Sequence, residues 1–236
     1  AGAAKVPDDA AVVVVADPTA PLPANGVEAI RKFMADPRPS GGKGKLVVLA
    51  GAQPGADRKP LVTGLEPVLQ TFGVQLGDRF IYGQPVPQLA ELDRAGGART
   101  TLAMVTQEAA DARNPVALGF NKLDRLPLLD CRPLTSSPAG GTQPVTVLVS
   151  QPGRLTWAEP LFVGNPLEAW NSLNERAGQI IDGPGSREEK QAALAKFQAD
   201  LQLSKSPRDL AVFVSEGQTA RVAVFAAFTG LTAAAA

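Results

Sequence analysis

The chain of 236 residues carries 23 Lys plus Arg against 23 Asp plus Glu, so it has no net field to gather nucleic acid or anionic lipid. It contains no histidine, which removes the commonest general base near neutral pH, the commonest metal ligand and the usual partner of a serine or cysteine nucleophile. A single cysteine, Cys131, excludes an internal disulfide and any CxxC metal or redox site.

The first element, Ala11-Val12-Val13-Val14-Val15-Ala16, is a continuous β-branched run that reads as a strand buried on both faces and therefore central in a sheet. Past Asp17-Pro18-Thr19-Ala20-Pro21, the residues Val27, Ile30, Phe33 and Met34 recur on one helical face. Asp36-Pro37 and a Pro39-Ser40-Gly41-Gly42 turn close that helix. Leu46-Val47-Val48-Leu49-Ala50 is a second buried strand, and strand, helix and strand in this order form a βαβ unit with parallel strands.

Thr63 and Glu66 then stand at capping-box spacing. Leu65, Val68, Leu69 and Phe72 share a helical face, and Gly73 offers a left-handed stop before the next strand, so a further α/β crossover is expected here. Strands are expected near 79–82 and 101–105. Pro115, Pro127, Pro133 and Pro138 exclude long helices between 110 and 141, leaving 126–134 as an interrupted edge strand. Val145-Thr146-Val147-Leu148-Val149 resumes the buried-strand pattern.

After Gly183-Pro184-Gly185, Ser186 and Glu189 form a capping box for a helix with Leu194, Phe197 and Leu201 on one face. The strands 210–214 and 221–226 flank Glu216-Gly217-Gln218 as a hairpin, which makes the sheet mixed. These elements predict an α/β chain, a single domain over 1–236 with irregular ends at 1–10 and 231–236, its helices arranged around a central, mostly parallel (mixed) sheet. No run reaches the roughly eighteen apolar residues of a membrane helix, and the opening residues lack a signal peptide's apolar segment. The chain is expected to be soluble, with any anchor in flanking segments.

Candidate sites follow the strand ends, where open α/β sheets bind ligands. Asp17 follows the first strand, although Asp before Pro is also a common turn starter. Thr19, Gly51, Gln53, Thr106 and Gln107 follow the same or other strands and could join such a crevice without a titratable partner. Gly41-Gly42-Lys43-Gly44-Lys45 has the composition of a phosphate loop, but it precedes a strand instead of opening a helix and reads as a flexible turn. Cys131 reads as a small buried hydrophobe, and Ser136, Ser137 and Ser150 lack a nucleophile-elbow context. Glu188 and Glu189 belong to a solvated helix start. The spacing of the remaining carboxylates selects no metal site, and no cofactor is expected.

Taken in order, four segments form a recognisable pattern: Val12-Val13-Val14-Val15-Ala16-Asp17-Pro18 with its helix, Gly44-Lys45-Leu46-Val47-Val48-Leu49, the stretch from Gly64-Leu65-Glu66 to Gly77-Asp78, and Asn114-Pro115-Val116-Ala117-Leu118-Gly119-Phe120. The pattern resembles the extracytoplasmic domain of gliding-motility-type auxiliary components of ABC transporters. The similarity spans most of 11–230 and is loosest over 165–205. The resemblance implies a three-layer α/β/α fold, flavodoxin-like or glutamine amidotransferase-like, without the Cys-His machinery of the latter group. It also implies a parent protein held by membrane segments outside this chain beside an ABC permease. Asn114 joins Asp17, Thr19, Gln53 and Thr106 as a candidate ligand-binding residue. The chain departs from the pattern at Ala226-Ala227-Phe228, where a Gly-Asp-Ser-like turn often precedes the phenylalanine, and at Asn114, where histidine often stands. The expected function is non-enzymatic binding or scaffolding. The alternatives are a hydrolase or amidotransferase-like enzyme using carboxylate or Ser-Lys chemistry at the strand ends, and a cytoplasmic nucleotide binder.

Overall fold

A computed structural model describes residues 4–38, 41–85, 100–106 and 126–227. In chain order the elements are β1 (Val12–Ala16), α1 (Ala24–Ala35), β2 (Lys45–Leu49), α2 (Glu66–Gln70), β3 (Val74–Leu76), β4 (Phe80–Gly83), β5 (Thr100–Val105) and β6 (Leu126–Leu129). There follow β7 (Leu134–Ser136), β8 (Thr142–Ser150), β9 (Thr156–Glu159), α3 (Pro166–Asp182), α4 (Arg187–Asp200), β10 (Asp209–Glu216) and β11 (Thr219–Phe225). Seven strands make one sheet in the order β1-β2-β11-β10-β8-β5-β6, and β3–β7 and β4–β9 make two separate pairs.

The result is a mixed α/β fold, but the sheet is not mostly parallel. Only β1–β2 and β2–β11 run together, whereas β11–β10, β10–β8, β8–β5 and β5–β6 are antiparallel. The cause is local. The turn at Gly217, with φ of 59°, returns the chain at once and forces β10 and β11 antiparallel. Parallel pairing survives where α1 carries the chain back from β1 to β2.

Each face of the sheet has its own core. On one, Val15, Leu46, Val48, Val212, Val214, Val222 and Val224 pack against Ile30, Phe33 and Met34 of α1 and Val68 and Leu69 of α2. On the other, Val147, Ala211, Ala223 and Phe225 meet Ile81, Leu128 and Cys131. A third core lies between the β4–β9 pair and the helices that follow it. There Phe80, Tyr82 and Trp157 pack with Ala169, Leu173 and Leu201, the Tyr82 and Trp157 rings stacked at 5.7 Å. Glu159, buried in this region, accepts from Trp157 Nε1 at 3.1 Å and pairs with Arg176.

Several sequence expectations change. β1 lies at the sheet edge, with Val12 43% and Val14 59% exposed, because only the face bearing Val13 and Val15 is covered. A run of valines presents the same composition to both faces, so it cannot report that one of them is bare. α2 is short. Pro67 falls at its start, and Glu66 Oε1 accepts from both Thr63 N (2.8 Å) and Thr63 Oγ1 (3.0 Å). The strand after it pairs with β7 outside the main sheet, so α2 is not a crossover. α3 has no counterpart in the expected elements, yet its signal is present: Asn165 at the N-cap, Pro166 at the first turn and Glu168 closing a reciprocal capping box. α4 begins with the expected Ser186–Glu189 capping box, although Leu194 and Phe197 are only partly covered.

Gly73 does supply the left-handed stop, with φ of 74°, and its carbonyl accepts from Ser137 N at 2.8 Å. A Cβ at this position would lie 1.8 Å from Ser137 O. Gly73→Ala therefore combines left-handed strain with a backbone clash, and the expected loss is at least about 3 kcal/mol, read as a lower urea midpoint.

Candidate functional site

β1, β2 and β11 point the same way, so their carboxyl ends gather at one edge of the sheet. β1 ends at Asp17, whose N–H donates to Leu49 O at 2.7 Å and whose φ of 40° turns the chain out of the strand. Asp and Asn adopt such angles more readily than other side-chain-bearing residues. β2 continues through Ala50, whose N–H donates to Phe225 O at 2.9 Å, to Gly51, Ala52 and Gln53. Gln53 Nε2 donates to Asp17 Oδ2 at 3.1 Å and lies 3.4 Å from Oδ1. Gln53 is also the base of a small hairpin, closed by Leu61 N to Gln53 O (2.8 Å) and Gly55 N to Lys59 O (2.8 Å).

A strap of four residues, 130–133, crosses these strand ends after β6. Ala52 N donates to Asp130 O at 2.6 Å, Ile81 N to Cys131 O at 2.9 Å, Arg132 N to Ala226 O at 3.0 Å and Gly77 N to Pro133 O at 2.7 Å. Arg132 is 3% exposed, and its guanidinium donates from Nε to Gly77 O (2.7 Å) and from Nη1 to Leu61 O (3.1 Å). Burial pulls its pKa down, against the opposing pull of the Glu66 and Asp78 carboxylates. Cys131 beside it is fully buried in the second core, the structural role its sequence context suggested.

The strap brings Asp130 towards Asp17 across Gly51. A Cβ on Gly51 would sit 3.3 Å from Asp130 O and 3.4 Å from Asp17 Oδ1, so this glycine leaves the room in which the two acidic residues approach. Asp130 also has a left-handed φ, 53°. Burial pushes the Asp17 carboxyl above the usual range, the Gln53 hydrogen bond works against that shift, and the charge of Asp130 adds to it. Two carboxylates and a carboxamide at a strand-end crevice can bind hydroxyl, amide or ammonium groups. Among the described residues no cluster of three metal-ligating side chains forms.

Of the residues expected here, Asp17 and Gln53 meet, while Thr19 stands exposed on the loop beyond Asp17. Thr106 does not join them. It bonds β8 through its N–H to Val147 O (2.9 Å) and Oγ1 to Thr146 O (2.7 Å). Its strand β5 is the sixth in the sheet counted from β1, about 24 Å away at ordinary strand spacing, and runs opposite to β1. Asn114 and Gln107 lie outside the described residues. The glycine-rich stretch is a turn, with Gly41 and Gly42 at φ of 85° and 72° and Lys43 3.0 Å from Glu216. Asp130 was absent from the sequence candidates because nothing near it in the chain marks it; a long-range crossing alone brings it to Asp17. A cleft of about 520 Å³ lies elsewhere, between the first described residues and α1, lined by Lys5, Asp8, Phe33 and Arg38 among others.

A raised folded-state pKa on an acid means that the folded protein holds its proton more tightly than the unfolded chain does. Asp17 ionisation therefore opposes folding at neutral pH, and the penalty disappears as pH falls through the folded pKa. Asp17→Asn keeps an acceptor for Gln53 and tolerates the same φ. Its Tm should exceed wild type slightly at pH 7, with the difference closing once the medium is acid enough to protonate Asp17; thermal unfolding across that range measures it.

No protein-family model, curated protein or solved structure matches the chain, so function must be read from its own residues.

Proposed function

We propose that this chain is a non-enzymatic binding and scaffolding domain of a gliding-motility-type auxiliary protein. In this reading it is extracytoplasmic, contacts an ABC permease assembly and is anchored by membrane segments outside this chain. No described helix is long and apolar enough to cross a membrane. The finer fold assignment, a three-layer sandwich of the flavodoxin-like or glutamine amidotransferase-like kind, belongs to the same proposal.

The observation that supports it is the strap. At the carboxyl ends of β2 and β11, where an open α/β enzyme holds its reacting groups, the chain lays its own backbone, bonded to Ala52 and Ala226. What stays at the rim is Asp17 held by Gln53, with Asp130 near it and no imidazole anywhere in the chain. A second reading, an enzyme of carboxylate chemistry, draws on the approach of Asp130 to Asp17 and on the raised Asp17 pKa.

Two measurements separate the readings. The full-length parent should co-purify with a permease from membranes and lose it when this domain is deleted; retention after deletion overturns the scaffold reading. Against panels of ester, amide and glycoside substrates the chain should show no turnover above the buffer rate. A turnover that falls at least about tenfold in Asp17→Asn, a transition-state contribution above 1 kcal/mol, establishes the enzyme instead.

A further inference from the structure

The outer edge of β1 carries the strongest unassigned feature. Asp17 N–H bonds Leu49 O, so by the two-residue period of a strand the odd-numbered residues turn their backbone groups towards β2, and Val12, Val14 and Ala16 turn theirs outward. Among the described residues no strand lies beyond them. The same three residues present the bare side of the strand, with Val12 and Val14 43% and 59% exposed. Edge strands are commonly guarded by lysine, proline or a bulge, and β1 has none of these; its register with β2 is unbroken.

We propose that this edge pairs with β1 of a second copy of the chain, antiparallel about a two-fold axis through Val14. The occupant follows from parity and charge. Centring the pair on Val14 sets Val14 against Val14 and Val12 against Ala16, so all three outward residues of each copy exchange both backbone hydrogen bonds. The paired segment Val12–Ala16 holds no charged residue, so the register sets no like charges opposite one another. Pro18 has no N–H and ends the ladder where β1 ends. The chain's formal net charge of zero leaves no long-range repulsion between copies. The two seven-stranded sheets become one continuous sheet, and the small contact gives a reversible dimer of the weak size class.

Sedimentation of the whole chain across a concentration series tests this, with expected growth from monomer mass towards twice that value. Val14→Pro removes only an outward N–H, and Val14→Lys places like charges on the axis; each should abolish the growth. If Val14→Pro fails to fold, the lysine variant and a cysteine scan decide. Val14→Cys should form a disulfide dimer under mild oxidation, because paired Cα atoms there lie about 5.5 Å apart. Val12→Cys, four residues from its own copy and thus about 13 Å away, should not, nor should Val62→Cys, 61% exposed elsewhere. A chain that stays monomeric throughout overturns the proposal and leaves the edge to a strand of another protein. A dimer that survives Val14→Lys, with Val14→Cys cross-linking no faster than Val62→Cys, overturns it by placing the contact elsewhere.

Discussion

The crossing of segment 130–133 over the strand ends is the constraint on which the rest of the structure depends. Four backbone hydrogen bonds tie it to Ala52 after β2, Ala226 after β11, Gly77 after β3 and Ile81 in β4. At Ala52 and Ala226 the main sheet's own ladder has run out, and a buried amide left without a partner costs about 1–3 kcal/mol. The Arg132 guanidinium adds Gly77 O and Leu61 O, using a charge whose burial is offset by carbonyl dipoles and by the carboxylates of Glu66 and Asp78. Gly77 permits the approach, since a Cβ there would press on Pro133 at 2.8 Å. One short segment thereby connects the main sheet to β3 and β4, and through β4 to the third core.

Much of this architecture was legible in the sequence wherever the signal was local. The α1 face of Ile30, Phe33 and Met34, the parallel β1–β2 unit, the β10–β11 hairpin and the Ser186 capping box each depend on residues a few positions apart. What was not legible depends on partners distant in the chain. Val12 to Val15 do not disclose which of their faces will be covered, and Val74 to Leu76 do not disclose that β7, not the main sheet, will pair with them. α3 is a different case, because Asn165, Pro166 and Glu168 spell a helix start that reading by hydrophobic stripe alone passes over.

The candidate site divides in the same way. Asp17 and Gln53 could be placed from strand ends alone, because parallel neighbours bring their exits together. Thr106 lies apart from them because β5 is antiparallel to β8, which sends its end to the opposite side. Asp130 has the opposite history, unmarked in sequence and brought in by the strap. Its backbone angle is informative beside that of Asp17. The chain uses glycine for left-handed turns at Gly64, Gly73 and Gly141, yet tolerates aspartate at both of these strand-end positions. A left-handed residue with a side chain costs of order 1 kcal/mol, somewhat less for aspartate, and the chain accepts that cost at Arg58 and Gln202 as well.

The two halves of the sheet carry different burdens. The antiparallel half, β10, β8, β5 and β6, is antiparallel at every pairing, and among the described residues β8 and β10 share the longest ladder. The parallel wing of β1, β2 and β11 is held on one face by α1 and α2 and at its exits by the strap. That arrangement concentrates the open chemistry there: an edge with outward amides at Val12, Val14 and Ala16, and a rim with Asp17, Gln53 and Asp130 just beyond the same strand. Pairing of that edge would extend β1 on the side away from Leu49 while leaving the Asp17–Gln53 contact untouched, because residues of opposite parity serve the two. The proposed edge association and the proposed strand-end recognition are therefore separable by substitution, although one uses a five-residue strand and the other the residue that follows it.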